Sequence, residues 1–474
     1  MPSEKPNILL ILSDQHTPGV TGCYGNREVR TPNINALAAE GVTFDSAYCA
    51  SPLCVPSRLS MLSGRFPHSI RVWSLADTIA STTPTWPLPL SIAGWRTVLC
   101  GRMHLVWPDR VHGFENRLCG DGYPTIRNHF AHWRDPEPEI ADSASTIRDA
   151  GVGSSRHDAE DDIATGHALK FLHEWKGSEG NRPFALCVGY YRPHTPFLAP
   201  PDLAALYENL DPELSDPLED LPPFYRSLAR HFGLETSPPT PEQARRAVRR
   251  YYSMVTGIDR RVGALCDALK TRGLWDNTIV IYTSDHGESL GRHGLWFKGN
   301  FFEESARVPL IVRFPKRFRA GIRIADPVSL LDLFPTFCDF AGEPPYDFLD
   351  GKSLLAALTE GQADPDRAVF SEFCDYGIHT PTRMIRKGKW KLIFAAGYEP
   401  LLFDLEADPR EKANLAGRAE HKSVVESLLE QLLRGWDPET IRDRVLENQR
   451  NRDLFMAAED SIKKAAGKEG FPWG

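Results

Sequence analysis

The sequence predicts an α/β protein with a doubly wound, mostly parallel central sheet flanked by helices, followed by a smaller subdomain with an antiparallel sheet. Three observations support this fold class. Short apolar runs recur over roughly the first 300 residues without alternating with polar residues, as is typical of parallel strands buried on both faces. Helical patterns lie between these runs. Near residue 365 the pattern changes to short strand-like segments broken by turns.

Four of the apolar runs are predicted to be central strands, namely residues 7–13, 97–100, 184–188 and 278–283. The clearest helical pattern has apolar residues spaced by three and four from Val248 to Leu269, and Gly273 is a stop signal. Residues 135–160 and 201–245 are rich in proline and polar residues. We expect them to be long surface loops or insertions that cover a site.

We expect residues 1–365 to form the larger domain and residues 366–474 to form the subdomain. The predicted strands of the subdomain are residues 368–373, 382–386, 389–394 and 401–405. A helical stretch follows from Val424 to Leu433. Short strands separated by turns are typical of an antiparallel sheet, so we expect a four-stranded sheet, a helix and a tail.

Composition and charge exclude several classes of protein. The chain has 474 residues, of which 41% are hydrophobic, so it can bury a core without disulfides. Its nine cysteines lack the spacing of a disulfide framework, which indicates reduced thiols. A net charge of −8 and a pI near 6.0 argue against a nucleic-acid or membrane-surface binder. The apolar run from Ile8 to Leu12 is too short for a signal peptide or membrane span, so we expect a cytoplasmic protein.

Charged and metal-binding side chains follow each of the four predicted strands. The carboxyl ends of parallel strands meet at one edge of an open α/β sheet, where such folds bind ligands. The side chains at these ends are Asp14, Arg102 with His104, His194, and Asp285 with His286. One polar residue in such a place is usually a loop residue, but four strands ending in this way indicate a functional site.

A local motif supplies a candidate nucleophile. It reads Cys54-Val55-Pro56-Ser57-Arg58 and continues with Leu62, Ser63, Gly64 and Arg65. Pro56 suits the first turn of a helix, so the motif could also be a buried thiol at a helix start. The motif resembles the signature of type I sulfatases of the alkaline phosphatase superfamily, in which a maturation enzyme oxidises the cysteine to formylglycine. The resemblance implies that residues 1–365 are a catalytic sulfatase domain with Cys54 as the source of its nucleophile.

The residue type suits this chemistry. A thiol that attacked sulfur would leave a stable thiosulfate-like ester. A hydrated aldehyde instead offers two hydroxyls, one to attack sulfur and displace the alcohol, and one to lose its proton as the aldehyde re-forms and sulfate leaves. A metal ion lowers the pKa of such oxygens. A helix that begins at Cys54 would also turn the positive end of its dipole toward the anion.

The resemblance extends to the metal ligands in order and spacing. Asp14 matches the first metal carboxylate of the family, and Asp285 with His286 matches the second metal group. With residue 54 they imply one divalent ion, for which Ca²⁺ is preferred and Mn²⁺ or Mg²⁺ stay open. Many members have a second aspartate where this chain has Gln15, whose amide oxygen can still be a ligand. This variant resembles choline sulfatases and phosphonate monoester hydrolases.

Sulfate needs fixed positive charge where its oxygens gain negative charge in the transition state. The candidates are Arg58, Arg102, His104, His194 and Lys298. The family usually has lysine at the position of Arg102, and arginine keeps the charge while adding a bidentate fork. His194 resembles the family histidine that gives a proton to the leaving oxygen. Lys298 matches the lysine that contacts the bridging or leaving oxygen.

The resemblance covers most of the chain, from Asn7 to about Leu415, and two stretches resemble choline sulfatases more closely than sulfatases in general. These stretches are residues 101–115 and 295–310. In choline sulfatases a longer C-terminal tail helps to complete a neighbouring subunit's pocket, so the resemblance implies a homo-oligomer. A quaternary ammonium group needs aromatic faces and an acidic partner, for which the candidates are Tyr123, Trp133 and Asp375. Among small-molecule sulfate esters, choline sulfate and a sulfated sugar are both open.

Three alternative functions have to be weighed. A phosphonate monoester hydrolase or phosphodiesterase on the same scaffold resembles the chain at Asp14-Gln15 and over residues 190–194. A non-catalytic relative would be expected to have lost Cys54 or the aspartates. A thiol hydrolase that used Cys54 itself would leave Asp285 and Lys298 unexplained. A sulfatase is therefore the preferred interpretation, and the phosphonate hydrolase is the nearest alternative.

Overall fold

The central sheet is the feature that positions the site. The computed structural model describes residues 5–105, 109–121, 133, 141–176, 182–214, 218, 221–362 and 364–466. Its strands are β1 (Asn7–Ser13), β2 (Val42–Tyr48), β3 (Arg96–Gly101), β4 (Asn116–Arg117), β5 (Gly151–Val152), β6 (Phe184–Gly189), β7 (Leu198–Ala199), β8 (Thr278–Ser284), β9 (Arg307–Arg313), β10 (Ile322–Ile324), β11 (Val328–Ser329), β12 (Ala368–Phe373), β13 (Thr382–Lys387), β14 (Trp390–Ala395) and β15 (Leu401–Asp404).

The helices lie between and after these strands. They are α1 (Pro32–Glu40), α2 (Cys54–Ser63), α3 (Pro67–Ile70), α4 (Pro87–Ile92), α5 (Ser145–Arg148), α6 (Arg156–Glu174), α7 (Pro201–Ala204), α8 (Pro223–His231), α9 (Pro241–Thr271), α10 (Glu303–Ala306), α11 (Leu333–Ala341), α12 (Leu355–Glu360), α13 (Lys422–Leu433) and α14 (Pro438–Ala466). Within the described parts of the chain, no helix is long and apolar enough to cross a membrane.

The four strands predicted to be central lie side by side in the order β8-β1-β6-β3, and all of their pairings are parallel. The sheet continues through β9, which runs antiparallel to both β8 and β2, whereas β2 pairs in parallel with β10 and β11, so the sheet is mostly rather than wholly parallel. The predicted fold class is therefore confirmed. Since the four parallel strands share one direction, their carboxyl ends open onto one edge.

The two faces of the sheet bury two separate cores, which is why the strand residues are continuously apolar. In β1, Ile8, Leu10 and Leu12 belong to the core that α2 and α11 cover. Leu9 and Ile11 point to the opposite face, where residues of α1, α6 and α9 pack. A strand alternates its side chains between faces, so a strand covered on both sides needs apolar residues at every position.

The small C-terminal sheet has the order β12-β13-β14-β15 and is antiparallel throughout. Leu428 and Leu432 of α13 pack against Ile385, Leu392 and Leu402. The backbone N–H of Glu372 in β12 donates to the carbonyl oxygen of Ala50, at 2.8 Å, so the subdomain is joined to the larger domain beside the start of α2. The division of the chain at residue 365 stays a prediction.

The loop prediction for residues 201–245 is wrong in part, because α7, α8 and the start of α9 lie in this stretch. Each of these helices begins with a proline, which suits a first helical turn because it needs no N–H donor there. The same prolines made the stretch resemble a loop. In residues 135–160, α5 and the start of α6 replace part of the expected loop, and residues 135–140 lie outside the described residues.

Candidate active site

The sheet edge brings together the side chains that follow the four parallel strands. Asp14 follows β1, Arg102 and His104 follow β3, and Asp285 follows β8. The loop after β6 contributes His194, whose Nε2 lies 2.8 Å from Lys298 Nζ. The structure therefore places all of these predicted residues in one site.

Cys54 is the first residue of α2 and lies at the centre of this site. Its Sγ is 3.2 Å from His286 Nε2, 3.2 Å from Lys298 Nζ and 3.8 Å from Asp14 Oδ1. The extended residue Leu53 precedes the helix, and the hydroxyl of Ser57 donates to the carbonyl oxygen of Asp285 at 2.5 Å. These contacts fix the start of α2 against the end of β8.

Four side chains form a group with the chemistry of a divalent metal site. Asp14, Cys54, Asp285 and His286 are all buried, and each offers one ligand atom within 4.8 Å of the others. The two carboxylates, and residue 54 where it carries oxygen in place of sulfur, are oxygen ligands that suit a hard divalent cation, and the imidazole of His286 adds one nitrogen ligand. The donor set therefore fits the metal that the sequence predicts.

Arg58 and Arg102 hold the outer oxygens of the two aspartates. Arg58 is fully buried and donates to Asp14 Oδ2 at 3.1 Å and to Asp285 Oδ2 at 2.7 Å. Arg102 Nε lies 2.5 Å from Asp14 Oδ2, and its guanidinium stacks over the Tyr191 ring at 4.2 Å. Burial raises the pKa of Asp14, but Arg102 and the neighbouring cations outweigh it and hold this pKa well below its ordinary value.

Gln15, which the sequence predicts as a further candidate metal ligand, lies within the site. Its Oε1 accepts a hydrogen bond from Lys298 at 2.8 Å, and its Nε2 donates to Glu288 Oε2 at 2.5 Å. Its φ of 68° is left-handed, and the hydroxyl of Tyr251 donates to its carbonyl oxygen at 2.6 Å. Glu288 fixes the orientation of the amide, and the sequence interpretation did not identify this residue.

The two predicted histidines differ in their surroundings. His194 Nδ1 lies 2.8 Å from the carbonyl oxygen of Thr195, so a proton on Nδ1 leaves Nε2 to accept from Lys298. Burial and the charge of Lys298 lower the pKa of His194 to about 4. His104 Nδ1 lies 3.0 Å from Arg102 Nη2, and burial together with Arg102 holds the pKa of His104 well below its ordinary value. Both imidazoles are neutral near pH 7.

A cavity of about 240 Å³ opens onto these side chains. The described residues that line it are Gln15, Cys54, Leu75, Arg102, His104, Ser143, Thr146, His157, Tyr191, His194, Thr195, Phe232, Phe297, Lys298 and Tyr376. The sequence interpretation missed His157, which stacks on Tyr191 with ring centroids 4.6 Å apart, and Tyr376, which comes from the C-terminal subdomain. No motif marks either residue, because each reaches the cavity only through tertiary packing.

The residues considered for a cationic substrate are only partly accounted for. Trp133 packs in a buried cluster with Trp73 and Cys374, next to Asp375 in sequence. Asp375 is buried, and its neighbour Tyr376, rather than Asp375 itself, is among the described residues that line the cavity. Tyr123 and the C-terminal tail from residue 467 onward lie outside the described residues.

The comparison with known families agrees with this site. A family model described as sulfatase matches residues 6–343, well over half of the chain. The chain belongs to the sulfatase family. A second model, described as the C-terminal part of N-sulphoglucosamine sulphohydrolase, matches residues 291–436 of this sulfatase. The protein is therefore a sulfuric ester hydrolase, and its family generally uses a divalent metal and formylglycine.

Individual relatives cover nearly the whole sulfatase. It is 34% identical to a choline-sulfatase of Rhizobium meliloti, over 97% of this chain and 92% of the relative. It is 28% identical to an N-acetylglucosamine-6-O-sulfatase of Bacteroides thetaiotaomicron, over 91% of this chain and 86% of the relative. Among solved structures, the phosphonate monoester hydrolase of Agrobacterium radiobacter superposes with a TM-score of 0.73 at 26% identity, and covers 93% of this chain and 96% of its own.

Proposed function

We propose that this sulfatase hydrolyses a small-molecule sulfate monoester with a formylglycine made from Cys54 and one divalent metal ion. The observation that carries the proposal is the group of ligand atoms from Asp14, residue 54, Asp285 and His286, all within 4.8 Å of one another. Ca²⁺ is the preferred metal, since the carboxylates offer hard oxygen ligands, and Gln15 is a weaker candidate ligand. When present, the formylglycine would supply a hydroxyl for attack on sulfur, and the metal ion would supply a positive charge beside it.

The chain's own side chains would then bind and orient the sulfate. Arg102 and Lys298 both line the cavity at residue 54 and would donate to the sulfate oxygens, with His104 beside Arg102. Arg58 does not line the cavity, so its part would be to hold both aspartates in place. Fixed donors of this kind stabilise charge that grows in the transition state without having to reorganise.

The leaving oxygen would meet the pair formed by Lys298 and His194. The ammonium group of Lys298 donates to Nε2 of the neutral His194, so the pair holds one proton between two nitrogen atoms that face the cavity. Transfer of this proton to the bridging oxygen would release the alcohol in a neutral form. The resemblance to sulfatases implies these roles, and the 2.8 Å contact between the two side chains at the cavity supports them.

The alcohol part of the substrate is proposed only as a class. The choline-sulfatase relative favours choline sulfate, and the N-acetylglucosamine-6-O-sulfatase relative favours a sulfated sugar. The aromatic side chains of Phe232, Phe297 and Tyr376 line the cavity, and aromatic faces can pack against the quaternary ammonium of choline or against a sugar ring. A maturation enzyme that acts on Cys54, a cytoplasmic location and a homo-oligomer stay predictions from the sequence.

Phosphonate monoester hydrolysis is the second candidate, because a phosphonate monoester hydrolase shares the fold over 93% of this chain. Parallel steady-state measurements of kcat/KM on an aryl sulfate and an aryl phosphonate monoester, with Ca²⁺ and then Mn²⁺ present, separate the two functions. We expect the sulfate to be the better substrate with either metal. A higher kcat/KM for the phosphonate ester with both metals would overturn the proposal.

A further inference from the structure

Two thiols outside the proposed machinery lie close enough to react with each other. Cys100 is a residue of β3, and Cys119 follows β4, the edge strand that pairs with β3. Their Sγ atoms are 3.6 Å apart. A disulfide has an S–S distance of about 2.05 Å, so the two sulfurs would have to approach each other by more than 1 Å to form a bond.

The surroundings give the two thiols different roles. Cys100 is fully buried, and its Sγ lies 3.2 Å from the carbonyl oxygen of Ala164. Cys119 is only partly buried, so it is the more accessible of the two thiols. The hydrogen bond from Cys100 lowers the pKa of Cys119 to about 7, burial opposes this effect, and the N–H of Gly101 and the charge of Arg117 add to it. A thiolate forms readily at Cys119, and thiolates are the reactive form of cysteine.

We propose that Cys100 and Cys119 form a redox-active dithiol pair that closes to a disulfide when a hydroperoxide oxidises Cys119, and that this closure lowers turnover by moving Arg102. The thiolate of Cys119 attacks the terminal OH oxygen of the hydroperoxide, so an S–O bond forms, the O–O bond breaks and the alkoxide leaves, which is hydroxide when the oxidant is hydrogen peroxide. Cys119 is then a sulfenic acid. The sulfur of Cys100 attacks that of Cys119, the S–S bond forms and the S–O bond breaks. The departing hydroxide takes up the thiol proton of Cys100 and leaves as water, and the two thiols together lose two electrons.

The pair is positioned to affect catalysis because the segment around Cys119 holds the loop that carries Arg102 and His104. The N–H of Gly101 donates to the carbonyl oxygen of Cys119 at 3.3 Å. Both oxygens of Asp121 accept backbone N–H groups of this loop, from Met103 at 2.9 Å and from Leu105 at 3.2 Å. Drawing the two sulfurs together by more than 1 Å would shift this framework, and a shift of about 1 Å in a catalytic group can lower turnover by about 10²-fold.

Peptide mass spectrometry after brief treatment of the reduced protein with hydrogen peroxide tests the chemistry. Trypsin releases Cys100 in residues 97–102 and Cys119 in residues 118–127. We expect these two peptides to appear as one linked species that lacks two hydrogens and separates on reduction with dithiothreitol. Cys119→Ser should abolish the link, and Cys23→Ser, which removes a partly exposed thiol elsewhere, should preserve it. Oxidation of Cys119 to sulfinic acid without any link would overturn the proposal.

Turnover measured on the same samples tests the second half of the proposal. We expect the linked protein to lose at least threefold in kcat, the loss to be reversed by dithiothreitol, and Cys119→Ser to keep its turnover under the same peroxide treatment. A linked protein with unchanged kcat would overturn the coupling to Arg102. Because link formation is read from peptide masses, its outcome is independent of whether the enzyme prefers sulfate or phosphonate esters.

Discussion

At the scale of single residues, the site balances buried charges of opposite sign. Asp14 and Asp285 have no exposed surface, and burial of an isolated carboxylate would favour its neutral form. Arg58 bridges their outer oxygens, so the inner Oδ1 atoms face residue 54 and His286, and Asp285 Oδ1 also accepts the backbone N–H groups of Gln15 and His286. Arg102, Arg58 and the other cations nearby hold the pKa of Asp14 well below its ordinary value, so Arg58 supports the metal site without contact with the substrate.

Arg102 is the residue that the resemblance places where the family usually has a lysine. Arg102→Ala would remove a hydrogen-bond donor to the sulfate and the ion pair with Asp14. We therefore expect turnover to fall by about 10²–10³-fold, a typical loss for one such donor. Arg102→Lys should keep more activity than alanine, because it restores the charge without the fork. Steady-state kinetics of both variants measures the effect.

The control for Arg102 is Arg71→Ala, since the side chain of Arg71 is 60% exposed and its ion pair with Glu447 lies on the surface. This variant should keep the parental kcat. If Arg102→Ala turned over within about threefold of the parent, Arg102 would be a structural residue, and its correspondence to the family lysine would be wrong.

Glu288 acts on the site through Gln15. One of its oxygens accepts the Gln15 amide, and the other accepts the backbone N–H groups of Leu290 and Phe297. In Glu288→Gln, the new side-chain NH₂ group would face either the amide NH₂ of Gln15 or the backbone N–H groups of Leu290 and Phe297, and two donors repel each other. We therefore expect a loss of about 10–100-fold in metal affinity or activity, as is usual for partners of metal ligands. Metal titration followed by calorimetry measures the affinity. Unchanged affinity and turnover in a folded variant would show that Gln15 needs no such partner.

The sequence predicted the residues whose chemistry lies in local motifs and at strand ends. Cys54, Arg58, Asp14 and Asp285 were predicted because a fixed order of residue types signals one reaction, and the structure brings these four side chains together. His157 and Tyr376 were missed, since a histidine in a helix and a tyrosine after a strand have no such signal. Their presence in the cavity depends on how α6 and the C-terminal subdomain pack, which a single sequence does not specify.

At the scale of elements, α6 positions the loop that carries His194. Asp161 of α6 is fully buried, and its two oxygens accept the backbone N–H groups of Tyr191 at 2.7 Å and Arg192 at 3.0 Å. The guanidinium of Arg192 in turn donates to Asp158 of the same helix and to the carbonyl oxygen of His194. Two residues of α6, Asp158 and Asp161, therefore hold the loop after β6 in place.

Asp161→Ala tests this arrangement. The change leaves two buried backbone donors without an acceptor, and each such donor costs about 1–3 kcal/mol. We expect a lower free energy of unfolding in urea and a lower kcat, because His194 loses its position. Asp162→Ala is the matched control, since its side chain is 73% exposed and pairs only with Arg261 among the contacts described. Equal stability of the two variants would show that α6 does not fix the loop.

The elements themselves were predictable where their signals were unambiguous. Continuous apolar runs identified β1, β3, β6 and β8, because only strands covered on both faces need them. α8 was missed because its prolines and polar residues resemble a loop. One face of the helix is nevertheless buried, where Tyr225 packs against Phe302 and His231 packs against Tyr376. The burial of that face depends on the site loop and the C-terminal subdomain, which are far away in sequence.

At the scale of the whole molecule, buried charges join the C-terminal subdomain to the larger domain. Lys391 in β14 is fully buried and lies 2.7 Å from both Glu303 and Glu411. Burial raises the pKa of Glu303, but Lys391 and Arg307 lower it to about 2. Since Tyr376 of the same subdomain lines the cavity, this junction supports the site as well as the fold.

Lys391→Ala should weaken the junction strongly. Removing one partner of a buried pair leaves an uncompensated charge and typically costs about 3–5 kcal/mol, so we expect a clear loss in the free energy of unfolding measured in urea. Lys389→Ala is the matched control, because Lys389 lies just before the same strand, is 41% exposed and pairs with Asp404. A loss no greater than that of the control would contradict the proposed role of the junction.

The account depends most on the conversion of Cys54, and the mass of the tryptic peptide that spans residues 31–58 tests it directly. This peptide contains Cys49 and Cys54, and Cys49→Ala leaves Cys54 as its only thiol. In an active preparation we expect the Cys49→Ala peptide to carry an aldehyde in place of the thiol, in a fraction that rises in proportion to sulfatase turnover. A preparation with full sulfatase activity in which residue 54 is wholly an unmodified cysteine would contradict the central claim.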